Sequence, residues 1–165
     1  MNDVLTRFIA SGTLEPKETM PTVAPSMDIQ IPSSLERLIY DLEGDTSSFY
    51  NQLQSEKVAT LSEDATKKLQ SIFSSKSFDD EMILREIKDF NKNYDWIVDP
   101  HTATAVSEKV SFGSNLPVVG IATASPEKFS NVISSVIPSF SVKNSENTED
   151  YIVCRSDSST VENAI

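Results

Sequence analysis

The 165-residue sequence is short of the residues around which many active sites are built. It contains one cysteine, one histidine and four glycines. A single cysteine allows no disulfide within the chain, which is typical of a protein in a reducing compartment. The four glycines are too scattered to form a glycine-rich phosphate loop, and no cysteine–histidine cluster has the spacing of metal ligands. The sequence therefore predicts no metal site.

Basic residues and long apolar runs are also scarce. There are 14 lysines and arginines against 25 aspartates and glutamates, which gives a formal net charge of −11. A surface of this charge repels phosphates, which argues against nucleic acid or an anionic membrane as a partner. No apolar run is long enough to span a bilayer, and no signal-peptide pattern occurs. We therefore predict a soluble cytoplasmic protein with a solvated acidic surface.

The spacing of the apolar residues predicts mostly helices, and the length suits a single domain. A first helix is predicted after Asn2 or Asp3, either of which can act as its N-cap, and it ends at Gly12. We divide the single, partial domain into four stretches, namely a first helix, loop and second helix over residues 1–45, a helical segment over 46–95, two strand–helix units over 96–138, and a loop, closing strand and helix over 139–165.

Several later helices carry recognisable start signals. Ser33 with Glu36 matches the capping-box pattern, and Gly44 ends the helix that follows. The sequence repeats the capping-box pattern at residues 60–63. Aspartate at position 99 and serine at position 125 each precede a proline, an arrangement that favours a helix N-terminus. The chain therefore predicts at least four well-marked helix starts.

Three short segments are predicted to be extended. Residues 27–31 alternate apolar and polar side chains, which is typical of a short strand or extended segment. Residues 116–122 form the only sustained apolar run and are predicted to be a buried strand, and residues 151–154 a closing strand. Because ligands of open α/β sheets bind at the carboxyl ends of strands, Thr123 is a candidate binding residue.

Four motifs are spread along the chain. They read Asn-Asp-Val-Leu-Thr-Arg-Phe at 2–8, Pro-Ser-Met-Asp-Ile-Gln at 25–30, Asp-Pro-His-Thr-Ala at 99–103, and Ala-Thr-Ala-Ser-Pro-Glu-Lys-Phe at 122–129. In this order they resemble the carboxyl-terminal part of threonine synthase, whose last motif reads Ala-Thr-Ala-His-Pro-x-Lys-Phe. The resemblance implies an α/β fold. We expect a helix-rich, incomplete piece of the large cofactor domain of a tryptophan-synthase-β-like enzyme, with few, mostly parallel strands.

The resemblance also implies a chemistry. Threonine synthase is a lyase dependent on pyridoxal phosphate that acts on a carbon–oxygen bond to phosphate. It converts O-phospho-L-homoserine and water into L-threonine and phosphate in threonine biosynthesis. The Schiff-base lysine and the glycine-rich phosphate loop of the family would lie upstream of Met1. We therefore expect no catalytic residue in this chain, no activity and no bound pyridoxal phosphate when it is isolated, and the missing amino-terminal part of the enzyme as its partner.

The resemblance assigns candidate site residues. Thr123 matches the threonine whose hydroxyl donates to the pyridine nitrogen of the cofactor. Candidates for the substrate pocket, where O-phosphohomoserine would bind, are Asp28, Ser33, Ser34, His101 and Ser125. Plainer interpretations remain open: a β-branched residue at a strand end, ordinary helix caps, and for His101 a structural polar contact, which we favour over catalysis. Ser125 departs from the family, which has histidine at that position.

Two alternatives to a fragment of the enzyme remain. The chain is either a degenerate, non-catalytic remnant that acts as an acidic interaction module, or one half of a split enzyme that docks on the other half. An upstream reading frame that encodes the lysine and the glycine-rich loop favours the fragment or the split enzyme, and its absence favours the remnant.

Overall fold

The computed structural model describes residues 1–107 and 119–141. This part of the chain is built mainly from short helices. The α-helices are α1 (Val4–Ser11), α2 (Leu35–Glu43), α3 (Ser47–Glu56), α4 (Glu63–Ile72), α5 (Asp80–Tyr94), α6 (Pro100–Val106) and α7 (Ser130–Val136). The strands are β1 (Thr13–Leu14) and β2 (Ala59–Thr60), and 3₁₀ turns cover Pro25–Met27 and Pro126–Phe129. No helix in the described part is long and apolar enough to cross a membrane.

Helices α1 to α4 bury their apolar faces against one another. The aromatic rings of Phe8 and Phe49 meet edge to face at 6.1 Å between centroids, a geometry that aromatic pairs prefer. We call this group the first cluster; its buried members are Val4, Phe8, Leu14, Leu35, Ile39, Phe49, Leu53, Ala59, Leu61, Ala65 and Leu69. The apolar residues that recur at helical spacing in α2 and α4 are thus turned inward.

Helices α5, α6 and α7 form a second apolar group. Ile87 of α5 and Ile133 of α7 are completely buried in it. We call this group the second cluster; its buried members are Ala24, Ile83, Ile87, Val98, Ala103, Ile133 and Ile137. The apolar face of α7 therefore packs against α5, which contacts α6 as well.

The two strands form a short antiparallel ladder, with Thr13 opposite Thr60 and Leu14 opposite Ala59. Gly12 precedes this ladder with φ of 73°, and a Cβ atom there would lie 2.2 Å from Thr66 Oγ1. The prediction of few strands in a helix-rich chain agrees with the structure. Mostly parallel strands were expected, but the one strand pair among the described residues is antiparallel.

Two predicted strands are not strands in the structure. Met27 ends a 3₁₀ turn, and residues 28–31 form no strand. Met27, Ile29 and Ile31 are all exposed. Of residues 116–122, the first three lie outside the described residues and the rest form irregular, exposed backbone. An apolar or alternating pattern makes a strand only where a neighbouring strand supplies backbone partners, and the described residues supply none here.

The helix caps follow the predictions in part. Gly12 and Gly44 end α1 and α2 in the left-handed conformation, as predicted. The two capping boxes are wrong: Ser34 rather than Ser33 is the N-cap of α2, and position 60 lies in β2. Helix α4 begins instead at Ser62, whose hydroxyl accepts the Ala65 N–H at 3.2 Å. Each true cap lies one or two residues further along the chain than predicted.

The four-stretch division of the domain remains a prediction. The third stretch, residues 96–138, contains α6 and α7 but has no strand in its described residues. The predicted closing strand and terminal helix of the last stretch lie outside the described residues.

Candidate functional site

Asn2 is the first residue of the site and uses every hydrogen-bonding atom of its side chain. Its Nδ2 donates to the Met20 carbonyl oxygen and to Asp28 Oδ1, both at 2.7 Å. Its Oδ1 accepts from the Met20 N–H at 2.9 Å and from Gln30 Nε2 at 3.2 Å. Asn2 was predicted to be an ordinary helix cap. It instead joins the start of the chain to Met20 before the 3₁₀ turn and to Asp28 and Gln30 after it.

Asp28 closes that loop from the other side. One carboxylate oxygen accepts the Thr22 N–H at 2.8 Å, and the other accepts the Thr22 hydroxyl at 2.7 Å. With the bond from Asn2 it receives three donors, and a carboxylate has about four acceptor sites. Asp28 therefore fixes the backbone on both sides of Pro25–Met27.

Asp99 occupies the buried centre of the site, with none of its surface exposed. Its carboxylate accepts the His101 N–H and faces His101 Nδ1, both at 2.9 Å, and it also accepts the Thr102 hydroxyl. Burial alone would raise the pKa of Asp99, but the hydrogen bonds from Thr102 and His101 outweigh burial and hold the pKa below its ordinary value. Asp99 is thus an ionised N-cap for α6, as its position before Pro100 predicted.

The hydrogen bonds of His101 define its tautomer. Its Nε2 lies 3.1 Å from the Ser26 backbone nitrogen. A backbone N–H can only donate, so Nε2 is the acceptor and carries no proton. The ring proton is then on Nδ1, where it is donated to Asp99 Oδ1. Both ring nitrogens have protein partners, and the imidazole is neutral.

The last motif reaches the same place through Phe129. The Phe129 ring lies 4.9 Å from the His101 ring, centroid to centroid. Asn2 binds Asp28 of the second motif, Ser26 of the same motif binds His101 of the third, and His101 contacts Phe129 of the fourth. The four motifs that lie far apart in sequence therefore meet in one region of the molecule.

A cavity of about 340 Å³ opens beside this region. We call it the groove; its lining residues are Asn2, Val4, Leu5, Thr6, Ile9, Ser26, Met27, Ile29, Ser75, Lys76, Ser77, Phe78 and Thr104. The Lys76 ammonium lies 5.6 Å from the centre of the Phe78 ring, within the range of a cation–π interaction. Its walls combine apolar side chains with hydroxyls, an amide and one cation.

The structure brings some of the predicted site residues together and separates others. Asp28 and His101 meet through Asn2 and Ser26. Thr123 and Ser125 are exposed, on the segment that leads to Phe129. Ser33 lines a different depression of about 560 Å³, beside Glu36 and Tyr50. Ser34 is the N-cap of α2, although its side chain makes no capping hydrogen bond.

Sequence reasoning missed the connecting residues of the site. Asn2 and Thr22 both donate to Asp28 because the intervening loop folds back toward the start of the chain. Nothing in their local spacing indicates that fold. Asp99 was predicted as a helix cap. Its additional hydrogen bonds to the side chains of His101 and Thr102 were not predicted. Among the described residues, no group of three or more histidine, cysteine and acidic side chains could hold a metal ion.

Comparison with known proteins gives a consistent result, although no protein-family model matches the chain. Threonine synthase of Pseudomonas aeruginosa is 30% identical over 139 residues, which is 80% of this chain and 29% of that protein. The crystal structure of threonine synthase with bound pyridoxal phosphate from Brucella melitensis superimposes with a TM-score of 0.73. It is 30% identical to the chain and matches 82% of this chain and 30% of that one.

Yeast threonine synthase has the same fold in this region, with a TM-score of 0.74 over 92% of this chain and 34% of that one, at 24% identity. The chain thus spans about a third or less of each of these proteins. The predicted fold class, a helix-rich partial fold of a pyridoxal-phosphate enzyme, is confirmed. The resemblance drawn from the four motifs is confirmed as well, and the chain is homologous to one part of threonine synthase.

Proposed function

We propose that this chain forms the carboxyl-terminal part of a threonine synthase of the cytoplasm. That enzyme would convert O-phospho-L-homoserine and water into L-threonine and phosphate. The observation that carries the proposal is that the four motifs that resemble the family meet in one region, through the contacts of Asn2, Ser26 and Phe129. The similarity to threonine synthases supports the same assignment.

Thr123 fits a role as the partner of the cofactor ring. Its side chain is exposed, so its hydroxyl is available to donate a hydrogen bond to an unprotonated pyridine nitrogen. Pyridoxal phosphate, when bound, supplies an electron sink for carbanion chemistry. A hydroxyl cannot protonate the nitrogen as a carboxylic acid would, and so Thr123 would hold the ring in its neutral form.

His101 and Asp28 position backbone in this proposal and transfer no proton. Both nitrogens of His101 are occupied by Ser26 and Asp99, so neither is free to accept a proton from substrate. Asp28 accepts three hydrogen bonds from Asn2 and Thr22, which hold its carboxylate in place. Their contribution is to hold the Pro25–Met27 turn at a fixed distance from α6, which places the exposed Ser26 hydroxyl beside the groove.

The remaining chemistry must come from the part of the enzyme that this chain does not match. A Schiff-base lysine and backbone donors for the cofactor phosphate are needed, and we assign neither to this chain. One hydrogen bond from Thr123 is worth about 0.5–1.5 kcal/mol, which is too little to capture a small ligand. The isolated chain is therefore proposed to be inactive and free of cofactor, with Ser33, Ser34 and Ser125 bordering the substrate in the whole enzyme.

A covalent chimera tests the proposal. The segment of the P. aeruginosa enzyme that matches this chain is replaced by the chain itself, and release of phosphate from O-phosphohomoserine is measured. We expect turnover in the chimera. Thr123→Val removes one hydrogen bond, so we expect kcat to fall by about tenfold, which corresponds to about 1.4 kcal/mol. Thr19→Val, the same change at an exposed loop position, is the control. A folded chimera that releases no phosphate contradicts the function.

A further inference from the structure

The amide of Asn2 binds both arms of one loop. It forms a closed pair with the backbone of Met20, in which Nδ2 donates to the Met20 carbonyl oxygen at 2.7 Å and Oδ1 accepts the Met20 N–H at 2.9 Å. The same two atoms reach past the Pro25–Met27 turn to Asp28 Oδ1 at 2.7 Å and Gln30 Nε2 at 3.2 Å. One side chain therefore ties residue 20, before the turn, to residues 28 and 30, after it.

This side chain does not cap α1, although it stands directly before that helix. The N-cap of α1 is Asp3, whose carboxylate pairs with Arg7 at 3.0 Å. The loop, by contrast, depends on Asn2, because residues 15–24 form neither helix nor strand and lack the backbone ladder that fixes a regular element. Asn2 is half-buried and thus gives the loop a fixed point at the start of α1.

The turn between the two arms carries the contact to His101. The Ser26 N–H donates to His101 Nε2 at 3.1 Å. Among the hydrogen bonds of the described residues, none joins Asn2 to Ser26 or to His101. Asn2 therefore acts on His101 through the loop, because its amide fixes the two arms and the arms fix the turn that presents Ser26.

We propose that Asn2 is a positioning residue of this site, whose amide clamps the two arms of the loop and so keeps the Ser26 N–H on His101 Nε2. The inference deepens the proposed function and rests on it for its effect on turnover. The clamp requires an amide, which offers two N–H donors and an acceptor oxygen. A carboxylate at position 2 would have no N–H for the Met20 carbonyl oxygen, and it would set a negative charge against the carboxylate of Asp28.

The nitrogen–nitrogen coupling across the hydrogen bond from Ser26 to His101 measures the clamp in the folded, full chain. Asn2→Asp keeps the size of the side chain but removes both donors, so we expect this coupling to be lost while circular dichroism shows the helices intact. A side chain that served only general stability would lower the unfolding midpoint and leave the coupling of the folded molecules unchanged. If Asn2→Asp does not fold, Asn2→Ala, which adds no charge, takes its place.

Asn93→Asp is the matched control, because it makes the same change at an exposed position of α5. It should keep the coupling. A second substitution tests whether positions 2 and 28 act together: Asp28→Asn added to Asn2→Asp exchanges the amide and the carboxylate, so a donor again faces an acceptor. We expect the coupling to return in part in this double variant.

The covalent chimera measures the consequence for turnover. Asn2→Asp should lower kcat by about tenfold or more, because small displacements of positioning groups cost up to about a hundredfold in rate. The double variant should recover part of that loss, and Asn93→Asp should lose nothing.

A coupling that survives Asn2→Asp as it survives Asn93→Asp overturns the inference, and so does a loss that the exchange of positions 2 and 28 does not relieve. Normal kcat in an active chimera that carries Asn2→Asp overturns it as well. An unaltered chimera without activity contradicts the proposed function alone. The coupling in the full chain then still decides whether Asn2 holds Ser26 on His101, so the two proposals fail separately.

Discussion

The two apolar clusters of the molecule differ in the buried polar residues that lie beside them. The first cluster, between α1 and α4, is built from apolar side chains, with Phe8, Leu14, Ile39 and Leu69 completely or almost completely buried. The buried polar residues among those described are Asp99, Thr102 and Ser107, all on α6 or next to it in the second part of the molecule. Burying polar groups costs free energy unless each is hydrogen-bonded, as Asp99 and Thr102 are. Both clusters are apolar, and the buried polar residues that neighbour His101 of the site lie beside the second one.

The largest expected effect breaks the first cluster. Phe8→Ala removes a completely buried ring from its contact with Phe49 and leaves a cavity. We expect the free energy of unfolding to fall by about 3–5 kcal/mol. Urea denaturation measures this fall, with Tyr40→Ala on the exposed face of α2 as the control. A loss below about 1 kcal/mol would show that the ring is not packed as described.

The next effect separates a buried cap from an exposed one. Asp99 and Asp79 are both aspartate N-caps whose side chains accept a backbone N–H, but only Asp99 is buried and has further donors. Asp99→Ala leaves the Thr102 hydroxyl and His101 Nδ1 without their acceptor, so it should cost about 2–3 kcal/mol. Asp79→Ala should cost about 1 kcal/mol. Equal losses in chemical denaturation would contradict the difference between the two regions.

The same carboxylate makes the second region sensitive to acid. The pKa of Asp99 in the folded protein lies below its ordinary value of 3.8. The ionised form therefore adds stability that is present above the unfolded pKa and is lost as pH falls through the lower, folded pKa. We compare the unfolding free energies of the unaltered chain and Asp99→Asn. Their difference should be constant near neutral pH and shrink below about pH 4; a constant difference down to pH 2 contradicts the ionised, hydrogen-bonded carboxylate.

The smallest effect compares helix ends in the two regions. Helix α3 ends at Lys57 with φ of 61°, and α5 ends at Asp95 with φ of 52°. Both residues are in the left-handed conformation, which glycine adopts without strain and aspartate tolerates better than lysine. Lys57→Gly should therefore raise the unfolding free energy by about 1 kcal/mol, and Asp95→Gly by less. Thermal unfolding of both variants tests the order, which a larger gain at Asp95 would reverse.

The sequence predicted local features of the fold better than contacts between distant residues, for a physical reason. Glycine stops depend on nearby residues, so the predicted helix ends at Gly12 and Gly44 were correct. The strand at residues 116–122 was wrong in its described part, because a strand depends on partners elsewhere in the chain. Asn2 was misread for the same reason: its partners Met20 and Asp28 are 18 and 26 residues away.

The tautomer of His101 is the most direct test of the account, because that residue joins three of the four motifs. Nitrogen NMR of the unaltered chain at neutral pH distinguishes a protonated ring nitrogen from an unprotonated one. We predict a proton on Nδ1 and an unprotonated Nε2 coupled through its hydrogen bond to the Ser26 N–H. A proton on Nε2 would contradict the account, because Nε2 could not then accept from Ser26 and the second and third motifs would not be joined.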